Sequence, residues 1–267
     1  EKQKVAFASI YAMSPSIYLL DEPSSNLDMD AIEDLRRTLE LLKKQGKTIL
    51  IAEHRIYYLR ELVDRIVYME NGAISAVFSP SQFLSIPEEQ RHSMGLRALD
   101  LSKVQPRAIA ENSQKPILEV RNLSLFYKKK SVLDDLNLSA APGEIIGIIG
   151  HNGAGKSTFS RTLCGLHTNY TGQILWDGKE LNAKSRLKRS YMVMQDVSYQ
   201  LFADTLEKEC VFGIKHPDLD AAKQAMERLG IYEYRTHHPN TLSGGQKQRA
   251  AVAVSMVCRK DVLIFDE

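Results

Sequence analysis

Cysteine is scarce in this sequence: Cys164, Cys210 and Cys258 are odd in number, far apart and in no C-x-x-C pair. That pattern argues against a disulfide framework and predicts reduced thiols in a cytoplasmic setting. No uninterrupted apolar run approaches the roughly 18 residues a membrane-spanning helix requires, so any membrane role is expected to go through another subunit. Charge of one sign is also missing. The 35 basic and 33 acidic residues leave a formal +2, which demands no polyanionic partner. Nothing near Glu1 resembles a signal peptide, and the absence of an initial Met suggests a chain cut from something longer. What remains is ordinary: 267 residues with 43% apolar side chains suffice for one large domain or two modest ones.

The most informative stretch is Gly150-His-Asn152-Gly153-Ala154-Gly155-Lys156-Ser157-Thr158, which fits G-x-x-x-x-G-K-[ST] and follows the apolar run 144–149. Phosphate oxygens need several inward-pointing backbone amides with a helix N-terminus behind them, and that requires Cβ-free positions. Gly150, Gly153 and Gly155 supply those positions. Lys156 is placed to reach the β- and γ-phosphates, and the Ser157 hydroxyl to hold Mg²⁺. The plainer alternative is a glycine-rich strand-to-helix turn with no ligand.

The two ends of the chain repeat each other. Residues 1–8 align without gaps on 246–253 and residues 17–22 on 262–267, always at an offset of 245, with identities at Lys2, Gln3, Ala6, Ala8, Asp21 and Glu22. So tight a register predicts a parent with two homologous domains, this chain holding the end of one and the beginning of the next. The expected division is 1–95, a linker at 96–115 with scattered prolines, and 116–267.

In the first piece, periodicity predicts a helix over 2–13, a buried strand over 17–20, and a helix opened by Asp28 or Asp30 with an Ile32, Leu35, Leu39, Leu42 stripe ending at Gly46. A buried strand over 47–52, a helix over 55–62 and a hairpin around Asn71-Gly72 follow. In the second piece, short strands are predicted at 117–120, 123–126 and 136–139. The cradle strand 144–149, a hairpin-like 172–178 and a strand over 191–194 come next, then helices over 205–212, 219–229 and 241–258 and a last strand over 262–265. Alternating strands and helices imply an α/β fold with a mostly parallel, covered sheet.

Four apolar residues followed by Asp-Glu occur twice, ending in Asp21-Glu22 and Asp266-Glu267. A carboxylate at the C-terminal end of a parallel strand stands where α/β sheets bind ligands. Asp266 is suited to orient Mg²⁺ and Glu267 to polarise the attacking water, with Asp21 and Glu22 as their copies.

With the cradle and the Asp-Glu strands, Leu242-Ser243-Gly244-Gly245-Gln246 resembles the signature of ATP-binding cassette ATPases. The resemblance implies a P-loop nucleoside-triphosphatase core with an antiparallel β subdomain in front and an inserted helical subdomain. It implies ATP and Mg²⁺ as ligands and a second cassette as partner, whose γ-phosphate Ser243, Gly244 and Gly245 would cap. An integral membrane transport subunit would complete the assembly, with the chain peripheral on the inner face of the membrane. Further positions follow from it alone. Tyr127 matches the aromatic that stacks on adenine, Gln195 the glutamine that touches Mg²⁺, 25–28 the loop that crosses between domains, and His54 the histidine that contacts the γ-phosphate. Gln200 to Gly213 is similar to the corresponding region of energy-coupling factor transporters for vitamins, cobalt or nickel. A soluble cassette ATPase acting on ribosomes or DNA and a nucleotide-binding module without turnover are the alternatives. The basic run 184–189 reads as a solvated face, not a nucleic-acid patch. Because 23–95 is equivalent to what would follow Glu267, the elements of one whole domain are present in permuted order; if the chain folds alone, strand 47–52 is expected to join the sheet of 144–149, bringing His54 near Lys156, and the plainer alternative is two incomplete, partly exposed pieces.

Overall fold

The computed structural model describes residues 2–25, 27–97, 99, 114–127 and 130–266. Expectations attached to Glu1, Asn26, most of the linker, Lys128, Lys129 and Glu267 lie outside the described residues. The chain forms two compact units, 1–110 and 111–267.

In the first unit α1 (Lys2–Met13) leads through a turn to β1 (Ile17–Asp21), then α2 (Met29–Lys44) and β2 (Thr48–Ala52). Asp28 caps α2 by accepting the Ala31 amide at 3.0 Å, while Asp30 in the first turn and Lys43 and Lys44 in the last suit the helix dipole. The predicted stripe is the buried face: Ile32, Leu35, Leu39 and Leu42 are buried, each stabilising by about 1.5–3 kcal/mol. Ile49 and Ile51 of β2 pack against this face. A hairpin of β3 (Ile66–Glu70) and β4 (Ala73–Phe78) turns on Asn71 and Gly72, both at positive φ. Two short helices follow, α3 (Pro80–Leu84) and α4 (Glu88–Ser93).

Two expectations fail here. Residues 55–62 form turns, not a helix: the His54 and Arg55 amides go to the Glu53 carboxylate, and Leu59 and Leu62 bond carbonyls only three residues back. The strands are also not buried on both faces. β1 and β2 pair in parallel as a two-stranded sheet that α2 covers on one side, so Leu19 is left 74% exposed.

The second unit has an antiparallel sheet in the order β6, β5, β7, β8, formed by β5 (Leu118–Tyr127), β6 (Lys130–Ala140), β7 (Tyr170–Trp176) and β8 (Lys179–Glu180). The two short strands expected at 117–126 are one strand interrupted at Asn122, which takes φ +47° where the chain closes on Gly172. A Cβ on Gly172 would stand 2.3 Å from the Asn122 carbonyl oxygen, so only glycine fits. Between β6 and β7 in the chain comes α5 (Lys156–Cys164), whose Phe159 and Leu163 share a core with Leu123, Leu125, Ile174 and Trp176.

The helix α6 (Ala183–Arg189) leads into β9 (Ser190–Val193), which pairs in parallel with β10 (Val262–Phe265). The basic run on α6 is only partly solvated, against expectation. Arg186 is buried over the Tyr170 ring, and Arg189 binds both Asp177 and Asp261 while lying over Trp176. A separate core unites α7 (Leu206–Cys210), α8 (Leu219–Arg228) and α9 (Gly244–Val257) through Leu206, Met226, Ile231, Ala250 and Val254.

The cradle strand is the main correction. Residues 144–149 belong to no strand, and Ile145 and Ile149 are 97% and 93% exposed. β2 pairs with β1 alone, so the shared sheet expected of a permuted domain does not form among the described residues. A parallel strand gains its burial from ladder neighbours and covering layers, and this run finds none here. The repeat itself is visible as geometry. Beyond α1 and α9 the chain passes a non-glycine residue with φ +46°, Ser14 and Arg259 respectively, and these stand at the same offset of 245.

Candidate functional site

The loop 150–155 turns on glycines that cannot be replaced freely. Gly153 and Gly155 have φ +84° and +92°, in the left-handed region that side chains avoid. Gly155 is the residue before the first turn of α5, and a Cβ there would stand 2.8 Å from Val132 Cγ1 and 3.1 Å from Leu133 Cγ. The first-turn amides of α5 thus open directly onto the loop, an arrangement suited to an anion.

Lys156 folds back across that mouth and donates to the Gly150 and His151 carbonyls at 2.7 and 2.9 Å. Ser157 donates to Asp266 Oδ1 at 2.8 Å, across 109 residues of sequence. The Asp266 amide in turn bonds the Val193 carbonyl at 2.9 Å, which continues the β9–β10 ladder up to the carboxylate. A hydroxyl and a carboxylate at hydrogen-bond distance form a hard-oxygen pair that fits Mg²⁺. Asn152, Ala154 and Thr158 lie within the same loop and first turn.

Ser243 caps α9 by a reciprocal box with Gln246. The Ser243 hydroxyl accepts the Gln246 amide at 3.4 Å, and the Gln246 side chain accepts the Ser243 amide at 2.8 Å. Gly244 and Gly245 follow at the first two helical positions, and a Cβ on either would meet nothing within 4 Å. Packing among the described residues does not explain them, although glycine in a helix costs up to about 1 kcal/mol relative to alanine. Tyr127 ends β5 and is 63% exposed. Gln195 lies just beyond β9, two residues before a 3₁₀ turn at 197–199.

In the first unit the equivalent pair is drawn together at the ends of the two strands. Glu22, at φ +42°, bonds its amide to the Ala52 carbonyl, and its Oε1 lies 3.1 Å from His54 Nε2. Asp21 is the last residue of β1 and stands opposite Ala52. His54 and Lys156 belong to different units.

Three groups escaped the sequence reading. The Gln200 side chain accepts the Met194 amide and donates to the Met192 carbonyl, each at 2.6 Å, and so lines the edge of β9. Buried Glu209 accepts the Phe202 and Ala203 amides at 2.6 Å and fixes the loop before α7. Glu53 gathers four donors beside His54. Burial would raise the Glu53 pKa, but hydrogen bonds from the Arg55 amide, Ser24, Tyr58 and the His54 amide outweigh it and hold the carboxyl below the usual carboxylate range. A polar residue directly after a strand was the only signal available for it.

The profile of the family described as ABC transporter matches residues 133–267. A Treponema denticola protein named as an ABC transporter ATP-binding protein is 46% identical over the whole chain, which covers 56% of that protein. A similarly named Methanosarcina acetivorans protein is 32% identical, with 52% of it covered. The chain thus spans about half the length of these relatives. Among solved structures, cbiO1 from Clostridium perfringens, described as part of the ABC transporter complex cbiONQ, is 30% identical with a TM-score of 0.52, over 58% of this chain and 66% of that one. A bacterial Atm1-family ABC exporter with ATP bound matches at 29% identity and a TM-score of 0.51, over 61% of this chain and 31% of that one.

Proposed function

The chain belongs to the ABC transporter family of ATP-binding proteins, and from that premise we propose that it binds MgATP on the 150–158 loop and drives a membrane transporter by hydrolysing it. One observation supports this reading above the others: Ser157 of the loop and Asp266 at the end of β10 meet at 2.8 Å. Loop amides and Lys156 take the phosphate charge, while Ser157 and Asp266 supply oxygens to the ion. A Mg²⁺ held by Ser157 and Asp266 would neutralise phosphate charge there. Tyr127 stacks on adenine, Gln195 stands beside the ion, and Glu267 polarises the water.

The two units are, on this proposal, the C-terminal part of one cassette and the N-terminal part of a second. Gly244 and Gly245 open α9 for the phosphate of a facing cassette, which accounts for glycines that nothing in their own unit requires. Glu22 and His54 serve the other site of the pair. The finer reading is energy-coupling factor uptake of a vitamin or metal ion, from the inner face of the membrane and through an integral membrane subunit. Its support is the Gln200 to Gly213 segment and the likeness to cbiO1.

Calorimetric titration of the chain with MgATP, alongside phosphate release by the full-length protein, tests the reading. Lys156→Ala is expected to weaken binding at least tenfold and to abolish the release that depends on this loop. Unchanged affinity in that variant would overturn the proposal.

A further inference from the structure

We infer that Glu53 is a positioning residue for His54, binding the histidine turn and the loop that begins at Ser24 into one piece; the inference rests on the ATPase reading above. Its Oε1 accepts the His54 and Arg55 amides at 2.7 and 3.0 Å. Its Oε2 accepts the Ser24 amide at 3.3 Å and the Tyr58 hydroxyl at 2.9 Å. A carboxylate has about four acceptor sites, and all four are used.

Two of those donors belong to the histidine turn and one to a loop 29 residues earlier in the chain. Arg55 strengthens the tie from the other side, its Nη1 donating to the Ser24 and Leu27 carbonyls at 3.4 and 3.3 Å. The His54 ring, at 3.1 Å from Glu22, stands where this lock sets its backbone. Movement of Ser24 and Leu27 is therefore transmitted to the imidazole, and the histidine is aligned on Glu22 only when those two residues are seated. A neutral amide cannot replace the carboxylate. Glutamine presents an NH₂ at one of its two termini: on the Oε1 side it faces the His54 and Arg55 amides with no acceptor, and on the Oε2 side it can donate to the Tyr58 hydroxyl oxygen but leaves the Ser24 amide without its acceptor.

The experiment compares wild type, Glu53→Gln and Tyr58→Phe in the full-length protein, by steady-state phosphate release with MgATP and by amide hydrogen exchange. Glu53→Gln is expected to lower kcat at least tenfold while KM stays within twofold, because Glu53 shapes the turn and does not bind nucleotide. The Ser24, His54 and Arg55 amides are expected to exchange at least tenfold faster. Tyr58→Phe leaves the three backbone donors in place and is expected to change kcat less than twofold. Should Glu53→Gln fail to fold, Arg55→Met carries the same test, since it cuts the grip on Ser24 and Leu27 and is expected to lower kcat with KM held. A kcat within twofold of wild type in the folded variant overturns the inference, as does unchanged amide exchange. If release is lost in Lys156→Ala but intact in Glu53→Gln, only this inference fails. If wild type itself releases no phosphate, the ATPase reading fails with it.

Discussion

Replacing Gly155 by alanine separates two costs that the loop geometry imposes at once. At φ +92° an alanine sits in the left-handed region, which costs roughly 1–2 kcal/mol. Its Cβ would also stand 2.8 Å from Val132 Cγ1 and 3.1 Å from Leu133 Cγ. Val132 is β-branched and stiff, and Leu133 meets the new atom at a branch point, so neither swings away freely. Overpacking of this kind adds about 1–3 kcal/mol. Gly153 at φ +84° provides the control, because a Cβ there meets nothing within 4 Å. Gly155→Ala is therefore expected to lose about 2–5 kcal/mol and Gly153→Ala about 1–2 kcal/mol. The chain has one tryptophan, Trp176, buried in the core that α5 shares, so urea titration followed by its fluorescence reads the stability of this unit. Each kcal/mol lowers Tm by about 2–4 °C for a unit of this size. Equal losses in the two variants, measured without nucleotide, would refute the close approach at Gly155.

Gly244→Ala and Gly245→Ala should each stabilise the chain by up to about 1 kcal/mol, since both positions are helical and open, yet reduce phosphate release by the full-length protein. Urea midpoints and turnover check this, and unchanged turnover would contradict the role given to α9. At pH 8 a maleimide is expected to label partly exposed Cys258 first, with intact mass as the readout. Cys164 and Cys210 are buried, and burial, with Glu209 and Glu207 nearby, pushes the Cys210 thiol up to about 12. The Glu53 carboxyl is held below its unfolded value, so its contribution to stability is present above the ordinary carboxylate pKa and is lost as pH falls through the lowered one. Protection of the Ser24, His54 and Arg55 amides should persist through the ordinary carboxylate range and be lost only at more acid pH, and Glu53→Gln should lack this acid-dependent loss.

Local chemistry was legible in the sequence wherever a few residues carry their own geometry. The Asn71-Gly72 turn, the Asp28 cap and the α2 stripe depend on neighbours within a few turns of chain, and the 150–158 loop shows its glycines in sequence although Val132, Leu133 and Asp266 approach it from far away. Contacts made at a distance were not legible. Glu53 looked like the polar end of a strand because three of its four donors are identified only once 54–58 abandons helical bonding and Ser24 arrives from 29 residues away. The run over 144–149 failed for the opposite reason. Its isoleucines specify a buried strand, but burial is a property of neighbours, and Ile145 is left 97% exposed. Gln200 and Glu209 lay inside a segment read for its likeness to other proteins, and their function as backbone acceptors depends on where the loop over 194–203 folds.

Arg189 holds the head of β10 through Asp261, whose amide bonds the Arg189 carbonyl at 2.9 Å, while the tail of the same strand carries Asp266 to Ser157. A strand advances about 3.3 Å per residue and turns successive side chains to opposite faces. Sliding β10 by a single position would therefore swing the Asp266 carboxylate to the far side of the sheet and strand the serine hydroxyl. The guanidinium thus acts as the index pin that keeps the Asp266 carboxylate on the side of the sheet where Ser157 waits.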